Sequence, residues 1–102
     1  MKILFLGDIV GRSGRSAVIN NLPTIIKINK IDFSIVNAEN ATSGMGLSVK
    51  HAKEILEIGA DCITLGDHAF DQKDMLQFIE TEHRILRPLN FSKSAPGKGS
   101  NI

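Results

Sequence analysis

The 102-residue chain contains no tryptophan and no tyrosine, only one cysteine and only three prolines. Without Trp or Tyr it lacks the aromatic platforms on which a surface stacks nucleic-acid bases. A lone Cys62 cannot form an intrachain disulfide, and its place inside an apolar run predicts a small buried hydrophobe. Charge of one sign is also missing: the net charge is +1, so neither a nucleic-acid polymer nor an anionic membrane is expected as a partner. Long apolar runs are absent as well. The first, Ile3 to Leu6, stops at Gly7-Asp8 and is shorter than a signal-peptide core of about 7–15 residues. No later run approaches the roughly 18 residues of a membrane span. These absences predict a cytoplasmic chain of one domain at most, burying roughly 65% of its unfolded surface if it folds alone.

What is present is a thrice-repeated arrangement. Short apolar segments rich in Ile, Val, Leu and Phe run into polar clusters at Asp8, at Glu39-Asn40 and at Asp67-His68. Such segments suit strands buried in a parallel sheet, and residues 2–7, 32–37, 61–65 and 85–87 are predicted as strands. Between them the period changes. Val18, Leu22, Ile25 and Ile26 follow helical spacing, with Pro23 predicting a kink or a restart. Ser48 is placed to cap a helix from Val49 to about Ile58, closed by Gly59. Asp71 is placed to cap a third helix with Met75, Phe78 and Ile79 turned inward. The fold class is therefore α/β: a parallel β-α-β-α-β-α half sheet with thin cover. Residues 1–91 carry the elements, and 92–102 form an irregular tail rich in Gly, Ser, Pro and Lys.

In open α/β sheets ligands bind just past the carboxyl ends of the strands, where all three clusters fall. Carboxylates crowded on one rim repel unless a cation lies between them, and a divalent metal pair would supply that charge. Asp67-His68 combines a candidate metal ligand with a candidate proton donor. The bland alternative is a solvated rim whose acids cap helices. A competing reading of the first turn is nucleotide binding, but Gly7, Gly11 and Gly14 give G-x-x-x-G-x-x-G and match G-x-G-x-x-G weakly. Arg12 and Arg15 could hold a substrate phosphate or simply be a solvated helix start. His51 and His83 are expected at the surface, and Lys98 in an exposed loop.

Gly7-Asp8-Ile9-Val10-Gly11, Asn37-Ala38-Glu39-Asn40, Gly44-Met45-Gly46-Leu47, Gly59-Ala60-Asp61, Gly66-Asp67-His68 and Arg87-Pro88-Leu89-Asn90-Phe91 occur in that order. Together they resemble the N-terminal part of the YmdB-like calcineurin-type metallophosphoesterases, over essentially the whole chain. The resemblance implies a partial metallophosphoesterase fold and an iron or manganese pair. It also implies hydrolysis of a phosphodiester such as a 2′,3′-cyclic nucleotide, with hydroxide on the metals attacking phosphorus. By position it implies Asp8, Glu39 and Asn40 as metal ligands with Glu39 bridging, residue 67 as a ligand of the second metal, and His68 as general acid.

Two departures stand out. The family's motif reads Gly-Asn-His, whereas residue 67 here is Asp, which adds negative charge beside His68. The family also completes its metal sites with histidines from a C-terminal half, which this chain lacks. The expectation is a truncated or split phosphodiesterase, inactive alone. Its alternatives are one subunit of a two-chain enzyme, with a homo-oligomer also admitted, or a phosphate- or nucleotide-binding module without chemistry.

Overall fold

A computed structural model describes all of residues 1–102. Strands β1 (Ile3–Leu6), β2 (Phe33–Asn37), β3 (Cys62–Thr64) and β4 (Ile85–Leu86) alternate with helices α1 (Gly11–Asn29), α2 (Val49–Glu57) and α3 (Met75–Thr81). The four strands form one sheet in the order β1-β2-β3-β4, every pair parallel. The sheet and its alternation with helices are thus as the sequence pattern predicts, with strands one or two residues shorter.

Sequential order has a consequence for layering. Right-handed crossovers that always step the same way bring every helix to one face of the sheet. The strand residues alternate accordingly. Ser34, Val36, Ile63 and Ile85 are buried on the helix side, where Leu22, Ala52, Ile55, Met75 and Ile79 meet them. On the other side Ile3 and Phe5 are each 59% exposed and Phe33 is 40% exposed, so the second face carries no layer. Register places Phe5 beside Ile35 and Ile35 beside Cys62, making this open face continuous across three strands. Cys62 is therefore half-buried on an apolar face rather than sealed in the core, with its thiol pKa raised by burial and then by the Asp61 carboxylate.

One local expectation holds and two change. Helix α1 runs unbroken through Pro23, so no restart occurs there. Losing one backbone donor costs about 3 kcal/mol, which burial of Val18 and Leu22 on the core side offsets. Ser48 caps α2 as predicted, its Oγ accepting from the His51 N–H at 3.4 Å. Asp71 does not cap α3: that helix starts at Met75, Asp74 holds the cap position, and the Asp74 carboxylate accepts instead from the Val49 N–H at 3.2 Å.

His51 is also not a free surface residue. Its Nδ1 lies 2.7 Å from Thr42 Oγ1, which itself accepts from the Ser48 N–H at 2.9 Å. The Thr42 hydroxyl keeps a second lone pair and a rotatable proton, so the contact suits Nδ1 as acceptor or as donor. Burial, followed by the positive charge of Arg15, lowers the His51 pKa below its ordinary value of 6.5.

Residues 92–102 are irregular but fastened. Lys98 bridges to Leu86 in parallel, and the Arg87 N–H donates to the Lys98 carbonyl at 3.0 Å. The buried Arg87 guanidinium donates to the carbonyls of Pro96 at 3.1 Å and Pro88 at 3.0 Å. Asn101 Nδ2 reaches the His83 carbonyl at 3.0 Å. No helix is long and apolar enough to cross a membrane.

Arg87→Met strands the two carbonyls and should cost about 2–3 kcal/mol, seen as melting roughly 10 °C lower. Unchanged melting would show that the strap is held without it. For His51 the folded pKa lies below the unfolded one, so its contribution is intact above about pH 6.5 and is lost as pH falls. Melting temperature should therefore drop from about pH 7.5 to about pH 5.5, and His51→Gln should flatten that drop.

Candidate active site

The three polar clusters do reach one rim, and the backbone holds them there. Beyond the ends of β1 and β2 the two chains stay paired: Ile9 N–H donates to the Asn37 carbonyl at 3.2 Å, and Gly11 N–H to the Asn40 carbonyl at 3.0 Å. A parallel bridge joins Val10 to Asn40. The Asn40 carbonyl also accepts from Gly44 N–H at 3.0 Å, closing the turn that follows.

Within this frame Asp8 stands with φ at +40°, a left-handed conformation that costs a non-glycine residue about 1–3 kcal/mol. Asp tolerates it better than most, and its side chain gains a partner: Asn40 Nδ2 donates to Asp8 Oδ1 at 2.8 Å. The amide oxygen of Asn40 has no hydrogen-bond donor. Strain concentrated at the one acid of the first cluster is the kind of feature that marks functional positions.

Glu39 is half-buried and leans toward β3. Its carboxylate occupies the space that any side chain at residue 66 would fill, so a Cβ on Gly66 would overlap it. Glycine at 66 is thus what lets Glu39 reach the third strand end, next to Asp67. Asp67 itself is exposed and takes no side-chain hydrogen bond. His68 is exposed too, with Nδ1 2.6 Å from Asp71 Oδ2.

Arg12 lies at the exposed start of α1, four residues after Asp8, and pairs with nothing. Arg15 is committed elsewhere: its guanidinium donates to the Ala41 carbonyl at 2.6 Å and ties α1 to the loop after β2. Behind the rim, Asn37 Oδ1 is buried without a partner, while its Nδ2 makes a long 3.4 Å contact to Thr64 Oγ1.

The donors on this rim are three carboxylates and an amide, the oxygen ligands that hard and borderline divalent cations take. Asp8 touches Asn40, and Glu39 spans toward Asp67. No three acidic, histidine or cysteine side chains converge into a closed cage. The donor types suit a divalent cation, but the residues present do not by themselves enclose one.

Sequence reasoning did not find the His68–Asp71 pair or the Thr42–His51 tie. The three-residue spacing of His68 and Asp71 was legible, but the cap reading of Asp71 competed with it. Thr42 and His51 meet only because the intervening loop folds back. Gly66→Ala should leave melting nearly unchanged, since Glu39 is flexible enough to move aside. Because that displaces the carboxylate, Mn²⁺ affinity measured by calorimetry should fall about tenfold or more. Retained affinity would show that Glu39 does not need its present position.

Residues 4–102 match the family model described as "YmdB-like protein". The chain is 42% identical to the 2′,3′-cyclic-nucleotide 2′-phosphodiesterase of Bacillus subtilis, with 97% of this chain and 38% of the relative aligned. It is 40% identical to a putative phosphatase/phosphodiesterase of Mycoplasma genitalium, over 100% of this chain and 38% of the relative. Among solved structures, a hypothetical protein from Thermus thermophilus superposes with a TM-score of 0.90 at 39% identity, covering 97% of this chain and 38% of that one. A phosphatase from Mycoplasma pneumoniae gives 0.88 at 40% identity, covering 97% and 37%. The chain thus spans about 38% of the length of the curated relatives it matches. A family match over nearly the whole chain, with the same backbone course in solved relatives, makes this chain a member of the YmdB-like family.

Proposed function

We propose that this chain is the first part of a cytoplasmic metal-dependent phosphodiesterase, a partial metallophosphoesterase fold that cannot turn over substrate by itself. The observation that carries the reading is the joining of three strand ends through Asn40–Asp8 contact and the Glu39 carboxylate over Gly66. Asp8, Asn40 and Glu39 would hold one side of a divalent pair, iron or manganese, with Asp67 reaching the second ion. A bound metal pair would supply positive charge for the phosphodiester and a water of lowered pKa. Arg12 steadies the phosphate, and His68 gives a proton to the leaving oxygen. The names of the relatives make a cyclic nucleotide the first substrate class to try.

Completion of the site falls to the polypeptide corresponding to the rest of the relatives' length, on the same chain or a separate one. The open sheet face of Ile3, Phe5, Phe33 and Ile35 supports this, since parallel sheets are covered on both sides. A second reading, a phosphate-binding module without chemistry, draws support from the absence of a three-group cage.

One set of measurements decides between them. The chain alone should bind Mn²⁺ and show little turnover of bis-p-nitrophenyl phosphate. Adding the segment of the Bacillus relative beyond its matched part should restore turnover, and His68→Ala should then lower turnover of 2′,3′-cyclic AMP by about 10²–10⁴-fold with Mn²⁺ still bound. Metal affinity indifferent to Asp8→Asn and Glu39→Gln would overturn the metal reading. Phosphate binding that ignores a chelator would favour the module.

A further inference from the structure

We propose that Asp71 is the positioning residue of His68, holding the imidazole with its proton on Nδ1 so that Nε2 is the nitrogen that meets the leaving group. The inference rests on the phosphodiesterase reading for its chemistry, but its geometry stands apart from it. An ionised carboxylate can only accept, so the 2.6 Å contact is Nδ1–H donating to Asp71 Oδ2. Asp71 has no other side-chain partner. The usual structural duty of such a residue is capping, and Asp71 caps nothing, because α3 begins four residues later at Met75.

Stability does not explain the pair either. The His68 and Asp71 side chains are 48% and 32% exposed, and exposed ion pairs contribute little to folding.

The turn that carries both residues is nonetheless held firmly. Ala69 N–H donates to the Gly66 carbonyl at 3.0 Å and Asp71 N–H to the His68 carbonyl at 3.2 Å. Ala69 is fully buried between the two residues, and the Phe70 ring packs at 6.2 Å from Phe91. From the other side comes the 42–46 loop. Gly46, at φ +81°, packs so closely that a Cβ would lie 2.9 Å from the His68 carbonyl and 3.1 Å from Asp71 Cβ. Gln72 Nε2 donates to the Met45 carbonyl at 2.6 Å and closes the clamp. A rigid turn bearing an exposed pair is a device for aiming a side chain.

The proton balance follows. Protonated His68 carries hydrogens on both nitrogens. As a water-derived oxygen bonds to phosphorus and the P–O bond to the leaving group breaks, the Nε2 hydrogen passes to the departing oxygen. The imidazole that remains is neutral with its hydrogen on Nδ1, the tautomer that Asp71 already binds.

The test uses the ¹⁵N-labelled full chain, kept metal-free with a chelator, and long-range ¹H–¹⁵N spectra of neutral His68. Wild type should show mainly the Nδ1–H tautomer. Asp71→Ala and the size-conserving Asp71→Asn should both shift His68 away from it, with melting temperature unchanged. A wild-type tautomer distribution equal to that of Asp71→Ala would overturn the proposal.

A second readout comes from the enzyme reconstituted with the Bacillus segment. Asp71→Asn should lower kcat about 10–100-fold for 2′,3′-cyclic AMP, whose leaving ribose oxygen needs a proton, with KM held. For bis-p-nitrophenyl phosphate, whose leaving group departs unprotonated, the loss should be small. Equal losses on both substrates would point to a merely structural role and overturn the proposal. Absence of turnover in every variant on both substrates would sink the phosphodiesterase reading instead, and the tautomer measurement then decides the role of Asp71 by itself.

Discussion

Parallel pairing of four consecutive strands is the constraint from which the remaining features follow. Because every strand points the same way, each carboxyl end arrives at one rim, and Asp8, Glu39-Asn40 and Asp67-His68 arrive with it. Because the order is sequential, each crossover carries its helix to the same side. One arrangement thus sets both the polar rim and the uncovered apolar face. The rim is then refined by backbone pairing beyond the strands, where Ile9 and Gly11 bond to Asn37 and Asn40 and hold Asp8 against Asn40.

Close approach governs the finer geometry. Gly66 has no side chain, and the Glu39 carboxylate occupies that vacant volume to reach the third strand end. Gly46 has none either, and the loop it belongs to presses onto the turn of His68 and Asp71. At both positions a missing Cβ brings together segments of different clusters. The cost is borne partly at Asp8, whose left-handed backbone is kept by surrounding hydrogen bonds rather than by any preference of its own.

Reading the sequence located the four strands, the alternation with helices and the cap at Ser48, because each is written locally in periodicity and residue type. It failed at Asp71 and at His51, and the restart it allowed at Pro23 did not occur, for a common reason. A proline's local cost was outweighed by the buried Val18 and Leu22. The capping tendency of Asp71 lost to a histidine three residues earlier, and Asp74 at the cap position turned instead to α2. His51 stands among charged residues, yet a returning loop delivered the Thr42 hydroxyl to it. In each case a partner that local pattern does not encode decided the outcome.

By itself the sequence determined the class of fold, the ordered motifs of the family and the residue types that stand at each strand end. Those properties are carried by spacing along the chain, and spacing is visible without folding. Tertiary structure alone decided that the helices share one face, that Cys62 looks onto an open apolar surface, and that Arg87 fastens the tail through the Pro88 and Pro96 carbonyls. It also decided which of the rim's polar groups touch. Contacts between residues roughly thirty positions apart, such as Asn40 with Asp8, depend on the register between strands, a relation between segments that no single segment contains.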